Sequence, residues 1–240
     1  MAALRIHQET ADLRGEMNVH NLLGLLYAQF GEVGEAASEL QHSLQISEQI
    51  GDEAGKAYTL CHLGIILRDR GRLRVAGEYL EESGELADRQ GDRYLSARCQ
   101  SHLALVRLLE EKYERAIQLA QQALAEREAL QAPILTTSDL TTLARAYWGL
   151  HKDEQALDYA ERALERLAES YAVGAEFPHH EYFHCATVLR RVGRFAAAYD
   201  ALQSALQLLT TRAEQISDPT RRQAFLELAP VNRAIMAAFA

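Results

Sequence analysis

Small and apolar residues recur along the chain with a period of about 40 residues. Residues 17–56, 57–96, 97–136 and 137–176 align without gaps, and a fifth unit starts near His179. Each unit carries a small residue, an alanine and a second small residue at fixed positions; in the first unit these are Gly24, Ala36 and Ser43. Helices that pack about 8–10 Å apart need small residues where their backbones cross. Each unit is therefore predicted to be an antiparallel pair of α-helices.

Glycines divide the pattern into helices. Gly31, Gly71 and Gly193 fall between the two predicted helices of three units. Consecutive units are joined by Gly51-Asp52 and by Gly91-Asp92. Glycine adopts the left-handed conformation that ends a helix, and aspartate caps the helix that follows. The sequence thus predicts an all-α chain of short-linked helix pairs.

The composition of the chain argues against several classes of protein. The chain of 240 residues has 4 prolines, and its formal net charge of −9 argues against a nucleic-acid binder. No apolar run approaches the roughly 18 residues of a membrane span. The cysteines, at positions 61, 99 and 185, are odd in number and form no CxxC pair, which favours a reducing cytoplasm. We expect a cytoplasmic protein that binds neither nucleic acid nor membrane.

The Leu-Gly pairs at 23–24 and 63–64, together with the recurring alanines and small residues, resemble the tetratricopeptide repeat in its 40-residue variety. The resemblance covers about residues 17–215. The aromatic residue that usually follows the Leu-Gly pair is kept only in Tyr27 and Tyr147, and the proline that often ends a repeat is missing. The resemblance implies a right-handed α-solenoid (a TPR-like superhelix) that binds a protein or peptide, with no cofactor and no catalysis.

The two ends of the chain suggest a larger parent. Residues 3–15 align with 43–55, so residues 1–16 are expected to be the second helix of a truncated repeat. Five helix pairs starting near 17, 57, 97, 137 and 179 should fill 17–216, and capping helices should fill 217–240. The run from Arg222 to Ile235 resembles the ending of large bacterial regulators, including STAND-class signal-transduction ATPases and related activators. This resemblance implies a ligand-sensing or partner-docking role beside other domains of the parent chain.

Ligand contacts in tetratricopeptide proteins come mainly from fixed positions of the first helices, which line the concave side. Among those positions are four arginines with no acidic residue, and arginine and aromatic residues are enriched at binding hot spots. We therefore predict a groove for a protein or peptide with acidic and apolar side chains. The predicted lining is Asn18, Asn21, Leu25, Tyr58, Cys61, Ile65, Arg68, Arg98, Ser101, Leu105, Thr141, Arg145, Trp148, Phe183 and Arg190.

One motif points to catalysis instead. His180-Glu181-x-x-His184 spells H-E-x-x-H, whose two histidines can bind zinc on a helix while the glutamate activates water. The motif lies in the first helix of the fifth unit, and no recognisable third ligand follows it. No catalytic residue or metal is therefore assigned; a zinc hydrolase stays an alternative, and incidental metal binding near His179, His180 and His184 stays open.

Two further expectations concern packing. His62, His102 and His184 share one repeat position, and we expect them to be separate, partly buried packing residues. The half repeat at the start would present an apolar face (Leu4, Ile6, Leu13) without its partner helix. Such a face favours a self-association scaffold as the alternative to ligand binding.

Overall fold

The computed structural model describes residue 7, residues 10–169 and residues 177–239. This part of the chain contains twelve α-helices and no β-strand, which confirms the all-α class. The chain divides after Val106 into two compact units, here called the first and the second unit. The helices are α1 (Leu13–Gln29), α2 (Val33–Ile50), α3 (Glu53–Asp69), α4 (Leu73–Gln90), α5 (Arg93–Leu109), α6 (Tyr113–Ala129), α7 (Thr137–Gly149), α8 (Asp153–Glu169), α9 (Pro178–Arg191), α10 (Phe195–Glu214), α11 (Pro219–Leu228) and α12 (Pro230–Ala237).

The small residues lie where helices of a pair approach closely. A Cβ added to Gly24 would stand 2.6 Å from Leu40 Cγ, and one added to Gly64 would stand 2.7 Å from Leu80 Cγ. Both leucines are almost fully buried. Any side chain at either glycine would therefore push the helices of its pair apart. The close-approach explanation of the repeat pattern is confirmed for these two pairs.

The turns between paired helices adopt one backbone conformation whether or not glycine is present. Gly31, Gly71 and Gly193 have φ values of 75°, 73° and 79°. At the equivalent turn positions, Glu111 and His151 have φ values of 60° and 57°. A left-handed conformation is unfavourable for a residue that has a Cβ. Helix packing, rather than the identity of the turn residue, therefore fixes the geometry of these turns.

The junctions of the first unit follow the predicted Gly-Asp chemistry. Gly51 ends α2 in the left-handed region, with φ 66°, and the Asp52 side chain accepts a hydrogen bond from the Gly55 N–H at 2.9 Å. Gly91 and Asp92 repeat this arrangement, with Asp92 accepting from the Leu95 N–H at 3.0 Å. Each aspartate satisfies a backbone donor that would otherwise lack an intrahelical partner.

The junction between α6 and α7 in the second unit is built differently. A short 3-10 helix, Pro133–Thr136, precedes α7, and Gln131 takes the left-handed position with φ 54°. Arg127 forms an ion pair of 2.8 Å with Asp139, and the two side chains are 7% and 0% exposed. Arg127 also donates to the Leu135 carbonyl and to Ser138 Oγ. A buried, charged network therefore replaces the Gly-Asp junction here.

Three helices begin earlier than the repeat pattern predicted. α1, α3 and α5 begin at residues 13, 53 and 93, four residues before the predicted starts at 17, 57 and 97.

Most of the half repeat expected at residues 1–16, including Leu4 and Ile6, lies outside the described residues. Towards the C-terminus, Asp218 caps α11 by accepting from the Arg221 N–H.

The last helices pack through a small apolar core. Phe225 of α11 and Ile235 of α12 are buried with Ala205, Leu209 and Ala213 of α10. α10 thus covers buried apolar residues of both C-terminal helices. None of the helices in the described ranges combines the length and the apolar character required to cross a membrane.

Candidate binding surface

A directed chain of hydrogen bonds links three first helices of the first unit. Arg98 Nη1 of α5 lies 3.0 Å from His62 Nε2 of α3, and His62 Nδ1 lies 2.8 Å from Asn21 Oδ1 of α1. Asn21 Nδ2 in turn donates to Thr59 Oγ1 at 3.0 Å. Because arginine can only donate and an amide oxygen can only accept, His62 must carry its proton on Nδ1 and be neutral.

A second arginine–histidine hydrogen bond links α3 and α5, with the arginine now on α3 and the histidine on α5. Arg68 Nη1 of α3 donates to His102 Nδ1 of α5 at 2.9 Å. Arg68 also pairs with Asp69 at 2.6 Å. The two helices thus exchange two arginine–histidine hydrogen bonds. This cross-linked arrangement holds Arg68 and Arg98, two of the predicted groove residues, in fixed positions.

The electrostatics of the first unit support a neutral His62. Burial, and secondarily the nearby Arg98 guanidinium, lower the pKa of His62 from 6.5 to about 3. The imidazole therefore stays an acceptor for Arg98 throughout the physiological range. His62 is buried and His102 half-buried, and each also forms a hydrogen bond to an arginine of a neighbouring first helix, which the repeat pattern did not indicate.

The structure separates the predicted groove residues by their exposure. Asn18 and Arg190 are exposed, whereas Asn21, Leu25, Tyr58, Arg68, Arg98, Leu105, Arg145, Trp148 and Phe183 are half-buried. Four others are buried and pack between helices instead of facing an accessible surface: Cys61, Ile65, Ser101 and Thr141. Repeat position alone could not make this distinction, since neighbouring helices decide how much of each side chain is covered.

Tyr58 is half-buried, and its hydroxyl already forms a hydrogen bond within the chain. Its hydroxyl donates to Asp92 Oδ2 at 2.8 Å, the same carboxylate that caps α5. Burial, then the hydrogen bond and charge of Asp92, raise the pKa of Tyr58 to about 12. Tyr58 therefore stabilises the junction before α5, and its ring is the part left for ligand contact.

The second unit places an arginine over the single tryptophan. The Arg191 guanidinium lies 4.9 Å from the centroid of the Trp148 ring. Trp148 is near the end of α7 and Arg191 is the last residue of α9, and these helices also meet where Thr141 Oγ1 lies 3.8 Å from Cys185 Sγ. Residue 191 was missed because the family positions stop at residue 190. We call Trp148 and Arg191, together with Arg145 on α7 and Arg190 on α9, the Trp148 patch. Phe183 packs instead against the apolar core of the C-terminal helices.

The H-E-x-x-H segment is tied to the C-terminal helices. His180 Nε2 lies 2.9 Å from Asn232 Oδ1, and His179 Nε2 lies 3.1 Å from the same oxygen. Asn232 also donates to the Phe225 carbonyl at 2.8 Å. In this arrangement the amide oxygen of Asn232 occupies Nε2 of His180, one of the two nitrogens through which an imidazole can bind zinc. Asn232 itself went unnoticed in the sequence because it is 52 residues from His180.

Burial also keeps His179 neutral. It lowers the pKa of His179 to about 3, with smaller contributions from His180 and Arg212, while the hydrogen bond to Asn232 acts in the other direction. The Phe177 ring stacks on His180, with centroids 5.1 Å apart. The segment therefore serves as a polar and aromatic contact between α9 and α12.

Comparison with known proteins identifies the repeat. Residues 54–129 match the tetratricopeptide repeat model, which covers parts of both units. No curated protein matches the chain in sequence. Together with the helix pairs described above, the match defines the fold as a TPR-like array of helical repeats.

Solved structures with this fold are similar to the chain at low sequence identity. The crystal structure of BtubC (BKLC) from P. vanneervenii has a TM-score of 0.66 and 19% identity, with 91% of this chain and 89% of that chain covered. A Rap protein complexed with Competence and Sporulation Factor has a TM-score of 0.73 and 14% identity, covering 93% and 66%. The Rap conjugation gene regulator of the plasmid pLS20, in complex with the Phr* peptide, has a TM-score of 0.67 and 15% identity, covering 92% and 63%. The chain thus spans about two thirds of either Rap protein.

Proposed function

We propose that the chain is a non-catalytic module that binds a protein or peptide segment on the surface of its first helices. The observation that carries this proposal is the Trp148 patch, in which an arginine of α9 lies over the tryptophan of α7. Arg190 and Arg191 are exposed at the end of α9, and Arg145 lies one helical turn before the tryptophan on α7. In repeat arrays, first helices line the concave side, where ligands have access to several repeats at once.

The chemistry of the patch favours a particular kind of ligand. An indole ring offers a large rigid contact area, and guanidinium groups bind carboxylates through paired hydrogen bonds. Tryptophan and arginine are also among the residues whose truncation costs most at interfaces. A segment that carries acidic side chains beside apolar ones suits the patch. The net charge of −9 makes this cationic surface distinct from the chain as a whole.

The first unit carries two further arginines on its first helices, although the Arg68 side chain is only 10% exposed and already pairs with Asp69. Arg68 and Arg98 are held by the imidazoles of His102 and His62, so their guanidinium groups are oriented before any ligand arrives. Half-buried Leu25 and Leu105 supply apolar area on the same series of helices. Preorganised side chains lose less conformational entropy on binding, which favours affinity.

The structural neighbours support the ligand class and the setting. Two of them were solved with bound factors, the Competence and Sporulation Factor and the Phr* peptide. We extend peptide binding to this chain, and we extend the regulatory setting through the C-terminal run from Arg222 to Ile235, which resembles the ending of bacterial regulators such as the STAND class. In this proposal the chain is the cytoplasmic sensor or docking region of a larger signalling protein. Its described cysteines are all free thiols, which suits that compartment.

The test uses the single tryptophan as a local probe. A display library of short peptides is selected on the wild-type protein, and each selected peptide is then titrated while Trp148 fluorescence is followed. We expect peptides rich in Asp or Glu and apolar residues, a change in fluorescence on binding, and a loss of affinity of about 10-fold or more in Arg191→Ala.

The chain offers a matched control on a second helix. Arg162 lies 4.9 Å from the Tyr159 ring on α8, the same chemistry on the other helix of the pair. Arg162→Ala should leave peptide affinity unchanged. Equal losses in Arg162→Ala and Arg191→Ala would contradict the proposed surface. An empty selection would contradict peptide binding, and light scattering would then show whether the chain associates with itself.

A further inference from the structure

Three potential metal ligands converge between α1 and α2. His20 Nδ1 lies 2.6 Å from Glu39 Oε2, and the rings of His20 and His42 have their centroids 5.2 Å apart. One donor atom from each of the three side chains lies within 4.8 Å of the other two. Within residues 10–169 and 177–239, no other set of three His, Cys, Asp or Glu side chains is this compact.

The helices present these donors in a favourable order. Glu39 and His42 stand three residues apart on α2, so they lie on one face of that helix. A Glu-x-x-His pair on one helix facing donors on another is a recurring way of building a metal site between helices. Glu16 lies one turn before His20 on α1, with its Oε1 3.8 Å from His20 Nε2. This second carboxylate faces the other ring nitrogen of His20, away from the nitrogen that contacts Glu39.

Repeat packing does not account for His20. The equivalent residues of the second and fourth repeats are Leu60 and Leu140, which are only 1% and 2% exposed. His20 is also buried, at 8% exposure, so an imidazole occupies a place where the second and fourth repeats have leucine and the third has Gln100. A buried polar group of this kind is costly unless it is well partnered. The partners differ as well, because Tyr79 and Tyr159 stand where the first repeat has Glu39.

We propose that His20, Glu39 and His42 form a binding site for a zinc-class divalent ion. Two imidazoles and one carboxylate are ligands that Zn²⁺ prefers, with water completing a tetrahedron. Tetrahedral ligands at zinc distances are about 3.3–3.5 Å apart. His20 Nδ1 and Glu39 Oε2, now 2.6 Å apart, must therefore separate slightly, while the His42 donor moves inward from a spacing of up to 4.8 Å. Exposed His42 supplies this movement by side-chain rotation, and the ion replaces the hydrogen bond between His20 and Glu39. The bound ion would fasten α1 to α2.

The test uses Co²⁺ alone as the probe, with the full chain carrying no polyhistidine tag. Co²⁺ in a tetrahedral site absorbs visible light, so a titration gives both the stoichiometry and the geometry. We expect one equivalent to bind and Zn²⁺ to displace it. His42→Gln and Glu39→Gln should each weaken binding by at least about 10-fold, the loss that removal of even an outer partner of a metal ligand causes.

The controls separate this site from the H-E-x-x-H segment. His42 is exposed and Glu39 half-buried, so their variants should fold, which circular dichroism checks. His184→Gln alters the other histidine-rich segment and should keep wild-type Co²⁺ affinity. Absence of tetrahedral absorption in the wild type would overturn the proposal, and so would wild-type affinity in His42→Gln. Loss of the signal in His184→Gln alone would assign the ion to the other segment.

Discussion

The two units of the chain use different interactions to join one helix pair to the next. In the first unit, consecutive helix pairs are joined by a left-handed glycine and a capping aspartate, as at Gly51 and Asp52. In the second unit, the junction before α7 depends on Arg127 and Asp139, an ion pair with almost no solvent exposure. Local backbone chemistry thus fixes one kind of junction, whereas a side-chain network fixes the other. The two should respond very differently to substitution.

The largest expected effect comes from breaking the buried ion pair. Asp139→Asn keeps the shape of the side chain but leaves the Arg127 charge buried, which should lower the free energy of unfolding by about 3–5 kcal/mol. Asp52→Ala in the first unit removes a helix cap and an ion pair with the exposed Arg14, for a loss of about 1 kcal/mol. Urea denaturation followed by circular dichroism measures both.

A surface pair provides the control for this substitution. Asp158 lies 3.5 Å from Arg162, and both side chains are largely exposed. Asp158→Asn should cost less than about 1 kcal/mol. If Asp139→Asn were no more destabilising than Asp158→Asn, the proposed dependence of the second junction on its ion pair would be wrong.

The next effect is a loss of stability at low pH, which comes from one buried histidine in each unit. The pKa values of His62 and His179 fall from 6.5 to about 3, mainly because burial disfavours the charged imidazole. Between these values the unfolded chain binds more protons than the folded one. Stability should therefore be insensitive to these histidines above pH 6.5 and should decrease as the pH falls from 6.5 towards 3. The slope is at most about 1.4 kcal/mol per pH unit for each histidine.

Single substitutions assign this acid sensitivity to its source. His62→Gln and His179→Gln should each flatten the dependence of unfolding free energy on pH between 6.5 and 4, measured by urea titrations at several pH values. His151→Gln changes an exposed histidine and should leave the slope unchanged. An unaltered slope in both buried-site variants would show that other groups cause the acid sensitivity.

The smallest expected effect on stability comes from changing how closely two paired helices of the first unit approach each other. Gly64→Ala would bring a Cβ within 2.7 Å of buried Leu80, so overpacking should outweigh the gain in helix propensity and cost about 1–2 kcal/mol. Gly84→Ala is the matched control, because its new Cβ would meet nothing closer than Cys99 Cβ at 3.6 Å. That variant should gain up to about 1 kcal/mol. Thermal unfolding of the two proteins should therefore shift in opposite directions; shifts in the same direction would contradict the packing explanation.

Much of the fold could be predicted from the sequence, because its determinants are local and repeated. Gly51 and Gly91 end helices in the left-handed conformation, and the aspartates after them form the predicted caps. The starts of α1, α3 and α5 were placed four residues too late, whereas α7 and α9 begin at or within one residue of the predicted positions. The left-handed conformation of Glu111 and His151 was not predicted, because no glycine marks these two turns, although helix packing imposes the same φ.

The candidate surface was predicted less completely, for a different reason. Family positions indicated Arg98 and Trp148 but could not tell that Cys61 and Thr141 are covered by neighbouring helices. Nor could they indicate Arg191, whose role depends on Trp148 lying 4.9 Å away on another helix. Side-chain exposure and pairing are properties of adjacent helices, and repeat spacing does not encode them.

The sequence by itself determined the helix pairs, their glycine crossings and their capped junctions, because these depend on residues a few positions apart and on a pattern repeated along the chain. The tertiary structure decided which polar residues meet. His62 finds Arg98 at a separation of 36 residues, and His179 finds Asn232 at 53. The same holds for His20 and Glu39, which come together only when α1 packs against α2. A residue's partner depends on the packing of whole helices, and its chemistry follows from that partner.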